Sequence, residues 1–250
     1  MSIFIDQQTK VLVQGITGSE GSFWTKHMIE LGTQVVCGVT PGKEGQFIED
    51  RPVYNSVKEA LKHHSVDASM LFVPPRLTKD AVMEALDAGI KKIVTIADGI
   101  PLHDMVLIRQ AAKEHHAFVV GGNTSGVISP KLAMMGSFPH WIERVYKKGN
   151  IGVMTRSGSL TNEVTAMIVE AGYGVSTLIG VGGDPVPGLH LPGVRPDSVR
   201  GREDALPLRR SVHRADGHPL ALRRRHPRRP LSQPVERGVL RAHPRPDGGH

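Results

Sequence analysis

Three observations predict an α/β protein built on a doubly wound parallel sheet. Apolar runs rich in β-branched residues alternate with amphipathic segments through the first 120 residues. Glycine or proline punctuates each alternation. The unusual residues follow the apolar runs, at 15–21, 40–45, 73–76, 96–101 and 121–126. Those are the carboxyl ends of the strands, where sheets of this class bind their ligands.

The first strand is Val11-Leu12-Val13, apolar and β-branched as a strand covered on both faces should be. "QGITGSEG" then places glycines at 15, 18 and 21. Glycine lets the backbone turn sharply and approach a ligand without a Cβ in the way, and free N–H groups at the following helix start favour an anion. Phe23, Met28, Ile29 and Leu31 supply the buried stripe of that helix, which ends at Gly32. "TQVVCGV" is the second strand and runs into Thr40-Pro41-Gly42-Lys43. A dinucleotide-binding domain would place Asp or Glu there for the ribose hydroxyls. Lys43 instead suits a second phosphate, which disfavours NAD; a plain surface lysine in a turn is the alternative.

"NSVKEALKHH" reads as a helix with Val57, Ala60 and Leu61 at helical spacing and Asn55 or Ser56 as its cap. "ASMLFVPP" is a buried strand stopped by two prolines, and "TKDAVMEALDAG" a helix with an N-terminal cap and a closing glycine. "KKIVTIADGIP", "LHDMVLIRQAAKEHH" and "AFVVGGN" continue the strand–helix–strand order. Residues 126–150 read as an irregular linker. The pattern restarts with "IGVMT", the turn "RSGSL", the helix "TNEVTAMIVEAG" and the strand "VSTLIGVGGD". This is the start of a second α/β domain over 151–188. One such unit cannot close a core, so Val153, Val164, Ile168 and Ile179 are expected to be poorly covered.

Composition changes near Gly188. Residues 1–187 carry 17 Lys+Arg against 18 Asp+Glu, whereas 188–250 carry 14 Arg, no Lys and 6 acids, so the basic character belongs to the tail alone. That tail lacks Phe, Trp, Tyr, Ile and Met and is dense in Pro and His, a composition that cannot offset its ordering entropy. Two readings stand for 189–250: a basic arm for nucleic acid or acidic partners, or a product of the wrong reading frame. The absent lysine and aromatics favour the second. The single Cys37 excludes an internal disulfide and reads as a small core residue in a reducing compartment. No apolar run reaches membrane-spanning length and the N-terminus has no signal-peptide core, which points to a cytoplasmic protein. No metal-ligand spacing is singled out.

The motifs "QGITGSEG", "GVTPGKEG", "VTIADGIP", "GNTSGVISP", "VMTRSGSLTNE" and "GVGGDPVPG", in this order, resemble the α subunit of succinate–CoA ligase. They are also similar to the CoA-binding part of ATP-citrate lyase. The resemblance covers residues 1–188. It implies a Rossmann-like CoA-binding domain over 1–125, then a truncated flavodoxin-like domain. It places the coenzyme A contacts on Thr17, Gly18, Ser19 and Glu20, on Lys43, and on Ile96, Ala97 and Asp98. Asp98 would accept hydrogen bonds from adenine or ribose, or merely cap the next turn. Ser157, Gly158 and Ser159 fall where the family holds the phosphoryl group of a phosphohistidine, although a plain Ser helix cap looks the same in sequence.

The resemblance further implies a ligase passing phosphate from ATP or GTP, bound with Mg²⁺ on a separate β subunit in an αβ or α2β2 heteromer, through a histidine to the acid, and then CoA. No "GHAGA"-like loop occurs here, so no catalytic residue is identified and the chain as written is expected to be inactive. Asn123-Thr124-Ser125-Gly126 replaces a frequent "NCPG", and Asn162 stands where Tyr is frequent. The acid is thereby open between succinate and a malate or citrate type. A non-catalytic CoA- or NAD(P)-binding module with a nucleic-acid-binding tail is the reading from a different class.

Overall fold

The computed structural model describes residues 4–142 and 144–183. The expectations for 189–250 lie outside them. The element order begins β1 (Lys10–Gln14), α1 (Ser19–Leu31), β2 (Gln34–Val39), β3 (Phe47–Ile48), β4 (Arg51–Tyr54), α2 (Val57–His63), β5 (Ala68–Leu71) and α3 (Pro75–Asp87). It continues β6 (Lys92–Thr95), α4 (Leu102–Glu114), β7 (Phe118–Val120), β8 (Gly126–Ser129), β9 (Ala133–Gly136), β10 (Lys148–Thr155), α5 (Gly158–Glu170) and β11 (Val175–Gly180).

Seven strands form one sheet in the order β3-β4-β2-β1-β5-β6-β7, parallel except for the β3–β4 pair. The expected doubly wound sheet is present, and its order reverses at β1. Strand β1 shows why both faces are apolar. Val11 and Val13 join one cluster with Met28 of α1, while Leu12 joins another with Val57, Val82 and Ile108 of α2, α3 and α4. All three strand residues are fully buried. Cys37 sits in the second cluster, and burial pushes its thiol up to about 12.

The second sheet runs β10-β11-β8-β9, with only β10–β11 parallel. Much of the stretch expected to be an irregular linker is therefore part of this sheet: β8 and β9 form a hairpin across Pro130-Lys131-Leu132, and β10 starts at Lys148. Both strands are buried at all four positions, so their sequence shows no alternation to read. The hairpin also corrects the expectation of a poorly covered core. Val153 and Ile179 are buried, and Val164 and Ile168 pack against the cluster shared with Val127, Ile128 and Phe138.

Two helix readings need correction. Helix α3 starts at Pro75, with proline in the first turn where its missing N–H costs nothing, and buried Thr78 donates to the Pro74 carbonyl at 3.2 Å instead of capping. In α1 the buried positions are Gly21, Thr25 and Met28, while Phe23 is half exposed. Its ring packs edge-on against Trp24 and His27 rather than into the sheet. Ser56, not Asn55, caps α2 by accepting from Glu59 N–H.

Candidate functional site

The reversal of strand order puts the glycine loop in the crevice between the ends of β2 and β5. Gly15 has φ +77° and donates to the Val39 carbonyl at 2.7 Å; a Cβ there would stand 2.3 Å from the Phe72 carbonyl oxygen. Gly21 packs the helix onto the loop so closely that a Cβ would stand 2.1 Å from the Gly15 oxygen. Gly18 occupies the N-cap, and no side chain caps α1 there. No side chain takes up the first N–H groups of α1, as also in α3 and α4, whereas serine caps α2 and α5; such free N–H groups can meet an anion.

A cavity of about 450 Å³ opens in front of this helix end. Gln14, Gly15, Thr17 and Gly18 form one wall, Thr40 and Pro41 a second, and Phe72, Val73, Pro74 and Leu77 an apolar third. Of the residues singled out from sequence, Thr17 and Gly18 line it. Ser19 and Glu20 lie in the first turn of α1, where the Glu20 carboxylate accepts from the Trp24 indole at 2.9 Å. Lys43 lies in the turn after β2, its N–H donating to the Thr40 carbonyl at 3.1 Å, and does not line the cavity. Ile96, Ala97 and Asp98 follow β6; Ala97 is buried and Asp98 exposed.

A second cavity, of about 710 Å³, is lined by Asn123, Thr124, Ser125, Arg156, Ser157, Gly158, Ser159, Asn162 and Gly183. Ser157, Gly158 and Ser159, together with Asn162, thus line one cavity with residues of the 121–126 loop. Ser157 caps α5 by accepting from Leu160 N–H at 3.3 Å, so the cap reading and the cavity reading hold together. A Cβ on Gly158 would meet Ser125 Oγ at 2.8 Å, which shows how closely the helix end and the loop approach.

The loop is fastened on both sides. Thr124 donates to the Gly180 carbonyl at 2.5 Å and accepts from Gly126 N–H at 2.9 Å. Asn123 N–H donates to the Ala97 carbonyl at 2.7 Å, while its own carbonyl accepts from Gly183 at 3.1 Å. The Gly121–Gly122 peptide bond is cis. Arg156, whose guanidinium donates to the Gly183 carbonyl at 3.1 Å, is the cavity's cation, and sequence reasoning did not single it out. Its position directly before the Ser-Gly-Ser helix start was the available signal. A helix N-terminus beside a guanidinium, hydroxyls and amides suits a small oxyanion.

Residues 6–99 match the family model of the CoA binding domain. Over 191 residues, 76% of this chain, the sequence is 85% identical to an ADP-forming sulfoacetate-CoA ligase subunit from Acholeplasma sp, of which the match covers 64%. Over 189 residues, 76% of this chain, it is 46% identical to the succinate–CoA ligase [ADP-forming] subunit alpha 1 of Archaeoglobus fulgidus, again covering 64%. The chain thus spans just under two thirds of the length of these curated relatives. ATP citrate lyase from Methanothrix soehngenii, solved with citrate and coenzyme A, superposes with a TM-score of 0.63 at 22% identity. That match covers 72% of this chain and 32% of the other, and it shows a shared fold.

Proposed function

We propose, for a chain that carries a CoA-binding domain and whose relatives are subunits of ADP-forming acid–CoA ligases, that it is the CoA-binding subunit of such a ligase. The observation that carries this reading is the pairing of two anion-suited cavities on one described body: the uncapped α1 start with its apolar wall, and the α5 start with Arg156.

The first cavity fits coenzyme A. Thr17, Gly18 and Ser19 would hold phosphate at the helix end, and Lys43 a further phosphate. Phe72, Val73, Pro74 and Leu77 offer the apolar wall that the less polar part of the molecule needs. Glu20, Ile96, Ala97 and Asp98 would complete the surface. Bound CoA supplies the thiol that becomes the thioester. The second cavity is assigned to the phosphoryl group or the acid, through Ser157, Gly158, Ser159, Asn162 and Arg156.

The acid is, on this reading, a short sulfonated carboxylate of the sulfoacetate type rather than succinate. Support comes from the 85% identity to a sulfoacetate-CoA ligase subunit against 46% for the succinate relative. ATP or GTP with Mg²⁺ is assigned to a partner β subunit in a heteromer. No histidine among the described residues lines the second cavity. The chain is therefore proposed to bind and position, and turnover with a partner subunit is not expected of it as written.

Titration calorimetry of the full chain with CoA and with NAD tests the reading. CoA is expected to bind at least tenfold more tightly; tighter binding of NAD would overturn it. Sulfoacetate should raise the melting temperature more than equimolar succinate does, and the reverse order would remove the acid assignment.

A further inference from the structure

A different cluster lies towards the other end of α1. His27 and Glu30 stand three residues apart on one helix face, with His27 Nδ1 and Glu30 Oε2 2.8 Å apart. His140, in the segment after β9, brings its ring centroid to 5.6 Å from that of His27. One ligand atom from each of the three residues lies within 4.8 Å of the others. His140 Nε2 is buried and meets no hydrogen-bond partner, an arrangement that native interiors seldom keep without a reason. Trp24 and Trp141 stack beside the cluster with centroids 6.2 Å apart and planes 14° from parallel.

We propose that His27, Glu30 and His140 form a binding site for a divalent late first-row transition ion, with Zn²⁺ as the type, clipping α1 to the segment that follows β9. Two imidazoles and one carboxylate are a ligand set that such ions take, whereas Mg²⁺ and Ca²⁺ prefer oxygen throughout. A tetrahedral Zn²⁺ with bonds of about 2.0–2.1 Å holds its ligand atoms roughly 3.3 Å apart. The 2.8 Å pair would open slightly and the third ligand close in, by side-chain rotation alone. The side chains of His27 and Glu30 are 19% and 46% exposed, which leaves a path for the ion and room for water as the remaining ligand. An ordinary surface His–Glu pair accounts for the 2.8 Å contact. It does not account for a third ligand atom arriving from residue 140, nor for that residue's unpartnered nitrogen.

The chain has two tryptophans, and both flank this cluster, Trp141 with its centroid 4.7 Å from that of His27 and Trp24 at 5.9 Å. Tryptophan fluorescence therefore reads this site even though histidines occur elsewhere in the sequence. Titration of the full chain with Ni²⁺ should quench it saturably at one equivalent, and Zn²⁺ should reverse the quench by competition. His27→Asn, His140→Asn and Glu30→Gln should each weaken the ion at least tenfold, with circular dichroism unchanged. The double change His115→Asn with His116→Asn should leave the midpoint where it is. Glu30→Gln, a nearly isosteric change at a half-exposed position, keeps the test available if a histidine variant fails to fold. Absence of a quench, an unshifted midpoint in all three site variants, or displacement by Mg²⁺ as readily as by Zn²⁺ would overturn the proposal.

Discussion

The Tyr146 hydroxyl donates a 2.7 Å hydrogen bond to Asn162 Oδ1, tying the segment ahead of β10 to the helix that borders the second cavity. Tyr146 is buried, and burial pushes its phenol above the ordinary tyrosine range, so it remains a protonated donor at any working pH. With Oδ1 taken, the groups Asn162 can offer the cavity are its amide N–H donors. Tyr146→Phe should cost about 1–2 kcal/mol in urea unfolding, because it strands a partly buried acceptor. It should also lower the phosphate-induced rise in melting temperature, by freeing the amide to turn. Unchanged values of both would remove this role.

Gly21→Ala should destabilise the chain by about 3 kcal/mol and abolish CoA binding, since the new methyl meets backbone that cannot yield. Gly42→Ala is the control. Unlike Gly21 it has positive φ, +75°, but nothing stands within 4 Å of a Cβ there, so only the backbone preference is lost, about 1 kcal/mol. Denaturant unfolding of the two variants beside calorimetry with CoA gives the comparison; equal costs would show that loop packing is not what Gly21 serves.

Lys43→Ala should weaken CoA by roughly fivefold to tenfold, as expected for one solvent-exposed charge on a phosphate. The loss should be smaller with dephospho-CoA if the lysine meets the 3′-phosphate. The same loss for both ligands would move the contact to the diphosphate, and no loss for either would make Lys43 a plain turn residue.

Cys37 should resist alkylation in the folded protein at pH 8 and react once urea unfolds the chain, because burial raises its thiol to about 12. The sign of the pH effect follows. The folded state holds the thiol proton above the ordinary cysteine value, near 8.5, where the unfolded chain releases it. Stability from this group is thus complete below that value and falls as pH rises from there towards 12. Urea midpoints at pH 8 and pH 10 should converge between the parent and Cys37→Ala as pH increases; a constant gap would show that the thiol does not titrate differently on unfolding.

The parallel sheet was legible because its strands are short apolar runs with helix-length segments between them, and because Gly15, Gly18 and Gly21 mark one turn unambiguously. The β8–β9 hairpin was not. "GVIS" and "AMMG" are buried at every position, so neither alternation nor an Asn-Gly type turn signalled them. Phe23 was assigned inward by helical spacing, yet aromatic neighbours on the same helix hold it at the surface. Of the second cavity, the α5 end could be read from "RSGSLTN", but its opposite wall comes from Asn123 to Ser125, some thirty residues earlier. Sequence spacing does not reveal that these meet. The His27–Glu30–His140 cluster was hidden in the same way, with more than a hundred residues between its two parts.

Asn123 donates its N–H to the Ala97 carbonyl after β6 and accepts from Gly183 N–H after β11, so one residue bridges a strand end of each sheet. A shift of that residue towards one neighbour is a shift away from the other. A group bound near Ala97 would, through this residue, be linked in the thermodynamic sense to an anion in the second cavity, which Asn123 lines. Any free energy by which a ligand near Ala97 helps or hinders an anion beside Gly183 must be returned in full when the order of arrival is reversed. A single strap of backbone would thus couple the two positions by an equal amount whichever ligand arrives first, without any moving domain.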